Sequence, residues 1–518
     1  MSEYGLWSLV PPILTVVLAI WTRNIIVSLL MGIFSGSLIL SDFNPLVAAL
    51  DVIEGRIFVQ TSSSSNIQVL IVIMCIGGFI KLLEVSGGAN AFAKGMTAII
   101  SSQKRAQFST WLAGIAIFFT DSGNALIIGP LFRPIYRELK ICKEKFAYIL
   151  DSTSSPICIL IPFIGWGAYI MGLIDPIYKD NGIDESSFAV LINVIPYQFY
   201  AWLTLAAVPI IIFTNRDFGP MKAAQEKYLS EDLSRTIQQK SEHEVEQTEG
   251  VASETIPNTN LSLFIAPLAI LLSIVAGFLI WYASIDSLTS SHIRSTLILA
   301  YVSAASASAF LMLKHQNVTL SESLTTFIKG TETMVFVVLI LIFAWCLSSV
   351  IKDLGTAATI SALVGDSIPA AALPAIVFIL GGIISLATGS SWGTFAILLA
   401  LAIPVANNIG APLYLTVAAV LSGGLFGDHT SPISDTTVLA SIAADCPHVN
   451  HVTTQFYYAI MTGSVSFAAY LVAGFYPTPW VLLPALLTLF ILIQIIMKRF
   501  GSPINEPMQG SELTRPSA

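Results

Sequence analysis

Charge is what this sequence has least of. Asp, Glu, Lys and Arg together make up 11% of its 518 residues, while 55% are hydrophobic. A soluble domain carries roughly 25% charged residues, so a water-soluble globular chain is excluded. Basic residues are scarcer than acidic ones, 24 against 32, and none form a face outside the loops, which excludes a nucleic-acid partner. The five cysteines (Cys75, Cys142, Cys158, Cys346, Cys446) are odd in number and scattered, so they frame neither a disulfide scaffold nor a metal site. No G-x-x-x-x-G-K-[ST] run occurs, which leaves no P-loop for nucleotide-driven work. Met1 to Gly5 lacks a basic stretch, so Leu6 to Trp21 reads as a retained first span and not a cleaved signal.

Apolar runs long enough to cross ~30 Å of hydrocarbon fill the rest. They fall at 6–21, 25–40, 67–83, 107–132, 146–174 and 188–213, then at 261–281, 294–313, 333–351, 370–406, 412–445, 456–476 and 479–497. The expected class is an all-α polytopic membrane protein. Its organisation reads as a first membrane repeat over 1–215, a polar cytoplasmic linker over 216–260, a second repeat with a last span over 261–500, and a cytoplasmic tail over 501–518. The linker has too few apolar residues to bury and reads as a tether.

Small, hydroxylated, carboxylate-bearing breaks recur at matching places in the two halves. The first set is Thr120-Asp121-Ser122-Gly123-Asn124 followed by Asp151-Ser152-Thr153-Ser154-Ser155-Pro156. The second is Thr388-Gly389-Ser390-Ser391-Trp392-Gly393 followed by Asp428-His429-Thr430-Ser431-Pro432 and Ser434-Asp435-Thr436-Thr437. Gly87 precedes Thr120 by 33 residues, and Gly355 precedes Thr388 by 33, which pairs Asp121 with Gly389. Gly87, Gly88 and Gly355 read as turn or helix-end glycines. Unwound backbone at membrane depth persists only where protein buries it or it lines a cavity, and duplicated breaks of this kind build transporter sites.

Basic residues orient the chain, because cytoplasmic loops collect Lys and Arg. Segment 107–132 has Lys104 and Arg105 on one flank and Arg133, Arg137, Lys140, Lys143 and Lys145 on the other. A continuous helix of that length would run about 40 Å and carry the second flank outside. A break at Thr120–Asn124 instead makes it a re-entrant hairpin with its tip near the midplane. Segment 370–406 is the counterpart from the other side, flanked by Asp366, Asn407 and Asn408. Five spans plus one hairpin per half make the halves inverted. Of the 24 basic residues, only Arg56, Lys179, Arg294 and Lys352 then lie outside.

Asp121, Asp151, Asp428 and Asp435 fall near the membrane centre on this plan, where a charge costs at least ~2.5–3.5 kcal/mol and implies a role. With the hydroxyls of Thr120, Ser122, Thr153, Ser154, Ser155, Thr388, Ser390, Ser391, Thr430, Ser431, Ser434 and Thr436 and the amide of Asn124, they form a hard-oxygen environment suited to hard cations such as Na⁺. The alternative for each Asp is capping of a half-helix. The expected principal Na⁺ site is Asp121, Ser122 and Asn124 with Asp151, supported by Thr153 and Ser154; Asp428 and Asp435 form a second, proton-linked pair. His429 is either a proton acceptor or a hydrogen-bonded spacer. The polar loop Asp445–Asn450 is expected to carry His448 and His451 in solvent, not on a metal. Trp392 either closes over a substrate or packs on a neighbouring helix.

The run Gly427-Asp428-His429-Thr430-Ser431-Pro432-Ile433-Ser434-Asp435-Thr436-Thr437 resembles the signature of the NhaC-type sodium/proton antiporters, and Phe119–Asn124 and Asp151–Pro156 match its first-half motifs. The resemblance covers roughly residues 6–500. It implies two inverted repeats with scaffold and transport parts, no enzyme activity, no cofactor beyond the transported Na⁺ and H⁺, and a multi-pass place in a bacterial inner membrane. The expected function is Na⁺/H⁺ exchange by alternating access. The alternative is a Na⁺- or H⁺-coupled carrier of an amino acid or carboxylate. The expected partners are these ions, membrane lipid, in the alternative a small organic solute, and for assembly a second copy of the chain. An intramembrane aspartyl protease would need two Asp and leave the other two, with the duplicated hydroxyl clusters, unexplained. A channel fits paired hairpins less well than a gated site.

Overall fold

Among the described residues of this computed structural model, 3–97, 100–241, 260–285, 289–364 and 369–503, the chain is helical almost throughout. Among these described residues, nine helices are long and apolar enough to cross a membrane: Gly5–Thr22, Ser64–Val85, Ser262–Ser284, Ser290–Gln316, Leu320–Asp353, Ala370–Thr388, Ser391–Ile409, His448–Phe475 and Pro479–Phe500. The bent pair Ser187–Tyr197 and Phe199–Thr214 makes a tenth if counted as one span. The chain is an integral, multi-pass membrane protein. Apolar side chains both fill its interior and coat its outside, as Trp21, Phe310 and Trp480 do, because hydrocarbon is the solvent there.

Corresponding elements of the two halves break at corresponding glycines. Ser64–Val85 is separated from Gly88–Thr97 at Gly87 (φ 66°), and Val335–Asp353 from Thr356–Val364 at Gly355 (φ 62°). Left-handed backbone is open to glycine without steric cost, so both act as the helix-end residues expected. Each half then has a two-arm element, Gln103–Ala116 with Asp121–Glu138 and Leu373–Thr388 with Ser391–Ile409. The second pair's arms of 16 and 19 residues are about 24 and 28 Å long, more than the half-bilayer that a short hairpin needs. A third matching break interrupts the next helix: Lys143–Ser152 stops at Thr153, and Leu413–Thr430 stops at Ser431. The apolar segment 146–174 is therefore several pieces, interrupted where the Asp151–Pro156 break was expected. In the second half, glycine lets two backbones meet. A Cβ on Gly423 would lie 2.4 Å from the Phe378 carbonyl, and one on Gly427 2.3 Å from that of Gly382. Close small-residue seams of this kind hold membrane helices together by packing alone.

Polar contacts gather at the two ends of the bundle. One end joins Lys143 to Asp445 at 2.5 Å, the Arg133 guanidinium to the Ala443 carbonyl at 2.7 Å, and Arg216 to the Met497 carbonyl at 3.2 Å. Arg216–Asp217 and Ser502–Pro503 also pair there as a short antiparallel ribbon. The other end joins Arg56 to Asp353 at 2.5 Å, Arg294 to Asp175 at 3.2 Å and Lys352 to Asp180 at 2.6 Å. Three of the four basic residues expected outside thus share one end, and Lys179 is in the last turn of the Asp180 helix.

Two expectations give way. The 216–260 stretch does not begin as an unpacked tether: Asp217 is buried against Lys145 and the Tyr458 hydroxyl, and Gly219–Ser241 is helical. Met221 is fully buried, and Gln225 donates to the Lys140 carbonyl and accepts from the Cys142 amide. These few contacts were hidden in a mostly polar run; residues 242–259 lie outside the described residues. His448 and His451 are not loop residues either. They open helix His448–Phe475, and His451 is fully buried because the helix turns it inward against Ser441 and Gln455. No cluster of three or more His, Cys, Asp or Glu with metal-holding geometry occurs among the described residues.

Candidate functional site

Capping side chains define the two breaks. In the first, Ile117 leaves the helix and Thr120, in extended backbone, accepts the Gly123 amide at 3.1 Å to start Asp121–Glu138. In the second, Thr388 is the last helical residue, its hydroxyl spent on the Ile384 carbonyl, and Gly389 turns left-handed at φ 65°. Ser390 then caps Ser391–Ile409 through the Gly393 amide at 3.4 Å. A Ser or Thr hydroxyl on the amide three residues along is a standard N-cap. Superposing the caps aligns Thr120-Asp121-Ser122-Gly123-Asn124 with Ser390-Ser391-Trp392-Gly393-Thr394. The spacing from Gly87 and Gly355 had set Asp121 against Gly389; its structural counterpart is Ser391. The offset arises because the first break takes four residues, Ile117 to Thr120, and the second takes two.

Both breaks line one cavity of about 710 Å³, as do the residues after the Asp428 helix. Asp121, Asp428 and Asp435 face it with Thr120, Ser122 and Thr436. Asp121 is at a helix N-terminus, where the positive end of the helix dipole favours a carboxylate. One of its oxygens accepts the Ser122 amide at 2.7 Å and the other the Trp166 indole N–H at 3.1 Å. Asp428 is in the last turn of its helix. Its Oδ2 accepts the Ser391 hydroxyl at 2.9 Å, while its buried Oδ1 has no partner within the protein. A buried carboxylate oxygen left open is costly unless a cation or proton completes it. Asp435 begins the next helix and accepts the Thr436 amide at 2.9 Å.

One wall of the cavity is aromatic. Trp166 and Trp392 have ring centroids 5.1 Å apart, and the Tyr169 hydroxyl donates to the Trp392 carbonyl at 2.6 Å. Trp392 therefore packs on a neighbouring helix and also lines the cavity. Arg23, Lys81 and Glu84 line it as well, with Lys81 and Glu84 paired at 3.3 Å. Sequence reasoning passed over these three. The signal was present: a Lys/Glu pair three residues apart at the end of apolar run 67–83.

Asp151 is elsewhere. Its Oδ2 accepts the Thr437 hydroxyl at 2.9 Å and the Gln455 amide at 2.6 Å, and it does not line the cavity. Asn124 is also withdrawn: its amide nitrogen donates to the carbonyls of Gly114 at 2.7 Å and Ile117 at 3.2 Å, closing the first break. Thr153 bonds the Ile149 carbonyl and Ser154 that of Asp151, while the Ser155 hydroxyl is buried without a partner. Thr430 and Ser431 bond the carbonyls of Phe426 and Leu386, each at 2.8 Å. Ser434 shares a hydrogen bond with Thr436 at 3.0 Å. His429 is held between Tyr200, 2.8 Å from Nδ1, and Ser152, 3.3 Å from Nε2. The structure thus gathers Asp121, Ser122, Asp428 and Asp435, and separates Asn124, Asp151, Thr153 and Ser154 from them.

This arrangement can hold and release a small cation: carboxylates from both halves, one oxygen unfilled, beside capped half-helices. Residues 157–475 match the Na⁺/H⁺ antiporter family. An uncharacterised protein of Haemophilus influenzae is 30% identical over 491 residues, 91% of each chain. The malate-2H⁺/Na⁺-lactate antiporter of Bacillus subtilis is 32% identical over 133 residues, 23% of this chain and 28% of that one. The YdaH transporter of Alcanivorax borkumensis shares the fold at a TM-score of 0.57 and 13% identity, covering 83% of this chain and 90% of that one. With a family match over more than half its length, the chain belongs to the Na⁺/H⁺ antiporter family.

Proposed function

We propose that the protein exchanges Na⁺ for H⁺ by alternating access in a bacterial inner membrane, with Asp428, Asp435 and Asp121 as the groups at which the two ions compete. The observation that carries this is the buried, unpartnered Oδ1 of Asp428 on a cavity that also holds Asp121 and Asp435. Asp428 is buried and shares the space with Asp121 and Asp435, whose charges repel its own, so a cation or a proton is needed to relieve it. A site that takes either ion, but not both, couples their movements. The breaks of the first and second two-arm elements meet at the site, as the interrupted helices of duplicated transporters do. Arg23 and Lys81, which line the cavity, assign that part of it to the cytoplasmic side by the distribution of basic residues. The test is ²²Na⁺ uptake into proteoliposomes under an imposed pH gradient with no organic solute present. Uptake that follows the gradient is expected; uptake that appears only after a solute is added overturns pure ion exchange.

One observation favours a second reading. A cavity of about 710 Å³ is far larger than a dehydrated Na⁺ and falls in the size range of small-molecule sites. A Na⁺- or H⁺-coupled carrier of an amino acid or carboxylate would use that space, with Arg23 or Lys81 meeting an anionic group.

A further inference from the structure

One polar network remains that the cavity does not use. His448 and His451, on helix His448–Phe475, both turn toward the hydroxyl of Ser441 on helix Asp435–Ala444, with Nδ1 to Oγ distances of 3.0 and 2.8 Å. The far nitrogen of His448 is 2.7 Å from the Pro432 carbonyl. That of His451 is 2.9 Å from the Gln455 side-chain oxygen. The Ser441 hydroxyl has a third partner, the Thr437 carbonyl oxygen at 2.7 Å.

Counting hydrogens fixes the charge. A backbone carbonyl only accepts, so His448 must carry N–H at Nε2. The Gln455 nitrogen faces the His429 carbonyl at 2.7 Å and Asp151 at 2.6 Å, which orients its oxygen toward His451; His451 therefore also carries N–H at Nε2. Both Nδ1 atoms then meet one hydroxyl, which has a single hydrogen. If Ser441 donates to one ring, the other ring must donate to Ser441 and is an imidazolium. If Ser441 donates to Thr437, both are. The contacts can be satisfied only when the pair holds at least one proton beyond neutrality.

We propose that His448–Ser441–His451 is a proton-binding relay, separate from the ion cavity, that takes a proton from the aqueous end of the bundle and places it beside Asp151. His448 is half-exposed and His451 fully buried. In the transfer, the Nδ1 proton of His448 passes to Ser441 Oγ as the original hydroxyl proton passes to His451 Nδ1. His448 becomes neutral, His451 becomes the imidazolium, and Ser441 is unchanged. The charge then lies one amide from Asp151, through Gln455. Helix Asp435–Ala444 links this relay to the cavity: Asp435 and Thr436 line the cavity, Thr437 bonds Asp151, and Ser441 carries the proton.

The surrounding charges are otherwise matched. On the packed helices, Lys143 pairs with Asp445, Arg133 with the Ile442 and Ala443 carbonyls, and Lys145 with Asp217. Lys222 is 3.9 Å from Glu226 on the neighbouring Gly219–Ser241 helix, and Glu144 accepts from Asn450. Arg137 bears on Asp445 from the same helix as Arg133. His429 is occupied by Tyr200 and Ser152, and Asp428 faces the cavity. Asp151 is the carboxylate that the relay can address.

The relay rests on proton coupling as proposed above, yet its first test does not require transport. ¹⁵N-histidine NMR of the full chain in nanodiscs, with His448→Gln and His451→Gln used for assignment, reports ring protonation directly. One of the two rings is expected to remain an imidazolium at pH 8, about 1.5 units above the ordinary histidine value, and Ser441→Ala to return both to ordinary, independent titration. Two neutral rings at pH 8 in the wild type overturn the proposal whatever the protein transports. In proteoliposomes that show exchange, Ser441→Ala is expected to move the pH profile by about one unit with the Na⁺ KM at the new optimum unchanged. An unmoved profile also overturns it. If wild-type proteoliposomes show no Na⁺/H⁺ exchange while one ring stays charged at pH 8, the ion-exchange reading fails and the proton site stands.

Discussion

Asp151 and Asp428 occupy the same place in the two halves, each in the last turn of a helix that breaks just after it, but their surroundings are opposite. Asp151 is met by Thr437 and Gln455 and is shut away from the cavity. Asp428 opens onto the cavity with one oxygen supplied by Ser391 and the other unfilled. The capped breaks differ in the same complementary way: the first puts Asp121 at the position where the second puts Ser391. The first half therefore contributes Asp121 from its capped break, where the second has Ser391, and the second contributes Asp428 from the later break, where the first has the satisfied Asp151. Matching breaks in the two halves thus carry different side chains, so that one faces the cavity and the other an internal polar network.

The sharpest way to break this comparison is to neutralise both residues. Asp428→Asn is expected to abolish Na⁺-dependent transport, at least a hundredfold below wild type in ²²Na⁺ flux, with the protein still folded by gel filtration. Asp151→Asn keeps the shape and removes a charge held by two hydrogen bonds, each worth about 1.5–3 kcal/mol for a charged acceptor. It is expected to lower thermal stability and alter the pH profile while leaving Na⁺ affinity within a few-fold. Equal loss of Na⁺ binding in both variants would mean that the two halves share the ion site after all.

Asp121→Asn comes next. Because Asp121 faces the cavity and the single oxygen of an amide can still meet one of its two donors, the Ser122 amide or the Trp166 indole, folding should persist. Na⁺-dependent exchange should fall by at least tenfold. Unchanged apparent Na⁺ affinity in this variant would place the ion entirely on Asp428 and Asp435.

Much of this was legible in the sequence, for identifiable reasons. Carboxylates within apolar runs are rare enough to mark themselves, so Asp121, Asp428 and Asp435 stood out, as did the glycines at Gly87 and Gly355. Three features did not. The alignment of the breaks slipped by two residues because a cap, and not a conserved spacing, sets where each second arm starts. The withdrawal of Asp151 depends on Gln455, some 300 residues away in sequence, and pairing at that range leaves no local pattern. His451 read as a loop residue because polar neighbours surround it in sequence; the helical period that turns it inward shows only once the helix start at His448 is known.

The caps test the alignment itself. If Thr120 and Ser390 are equivalent, Thr120→Ala and Ser390→Ala should each cost about 1 kcal/mol, read as similar drops in melting temperature in the same detergent. Thr388→Ala, at the position paired by spacing alone, should cost less, because its hydroxyl only bonds back to the Ile384 carbonyl within its own helix. A larger loss at Thr388 than at Ser390 would restore the spacing-based pairing of Asp121 with Gly389.

The smallest expected effect lies where the two halves touch at the end of the bundle. Lys143, hydrogen-bonded to Asp445, holds that carboxyl below its ordinary value, aided by the nearby Arg133 and Arg137. A depressed folded-state value means that the contact stabilises above the unfolded value, about 3.9, and is lost as pH falls through the folded one. The pair is half-exposed, and exposed pairs are worth about 0.2–1 kcal/mol before salt screens them. Asp445→Asn should therefore lower the melting temperature slightly at pH 7 and low ionic strength, and the difference from wild type should shrink in 0.5 M salt and below pH 3.5. A penalty that persists under both conditions would mean that the charge is not what Asp445 contributes, since Asn accepts its left-handed backbone (φ 55°) equally well.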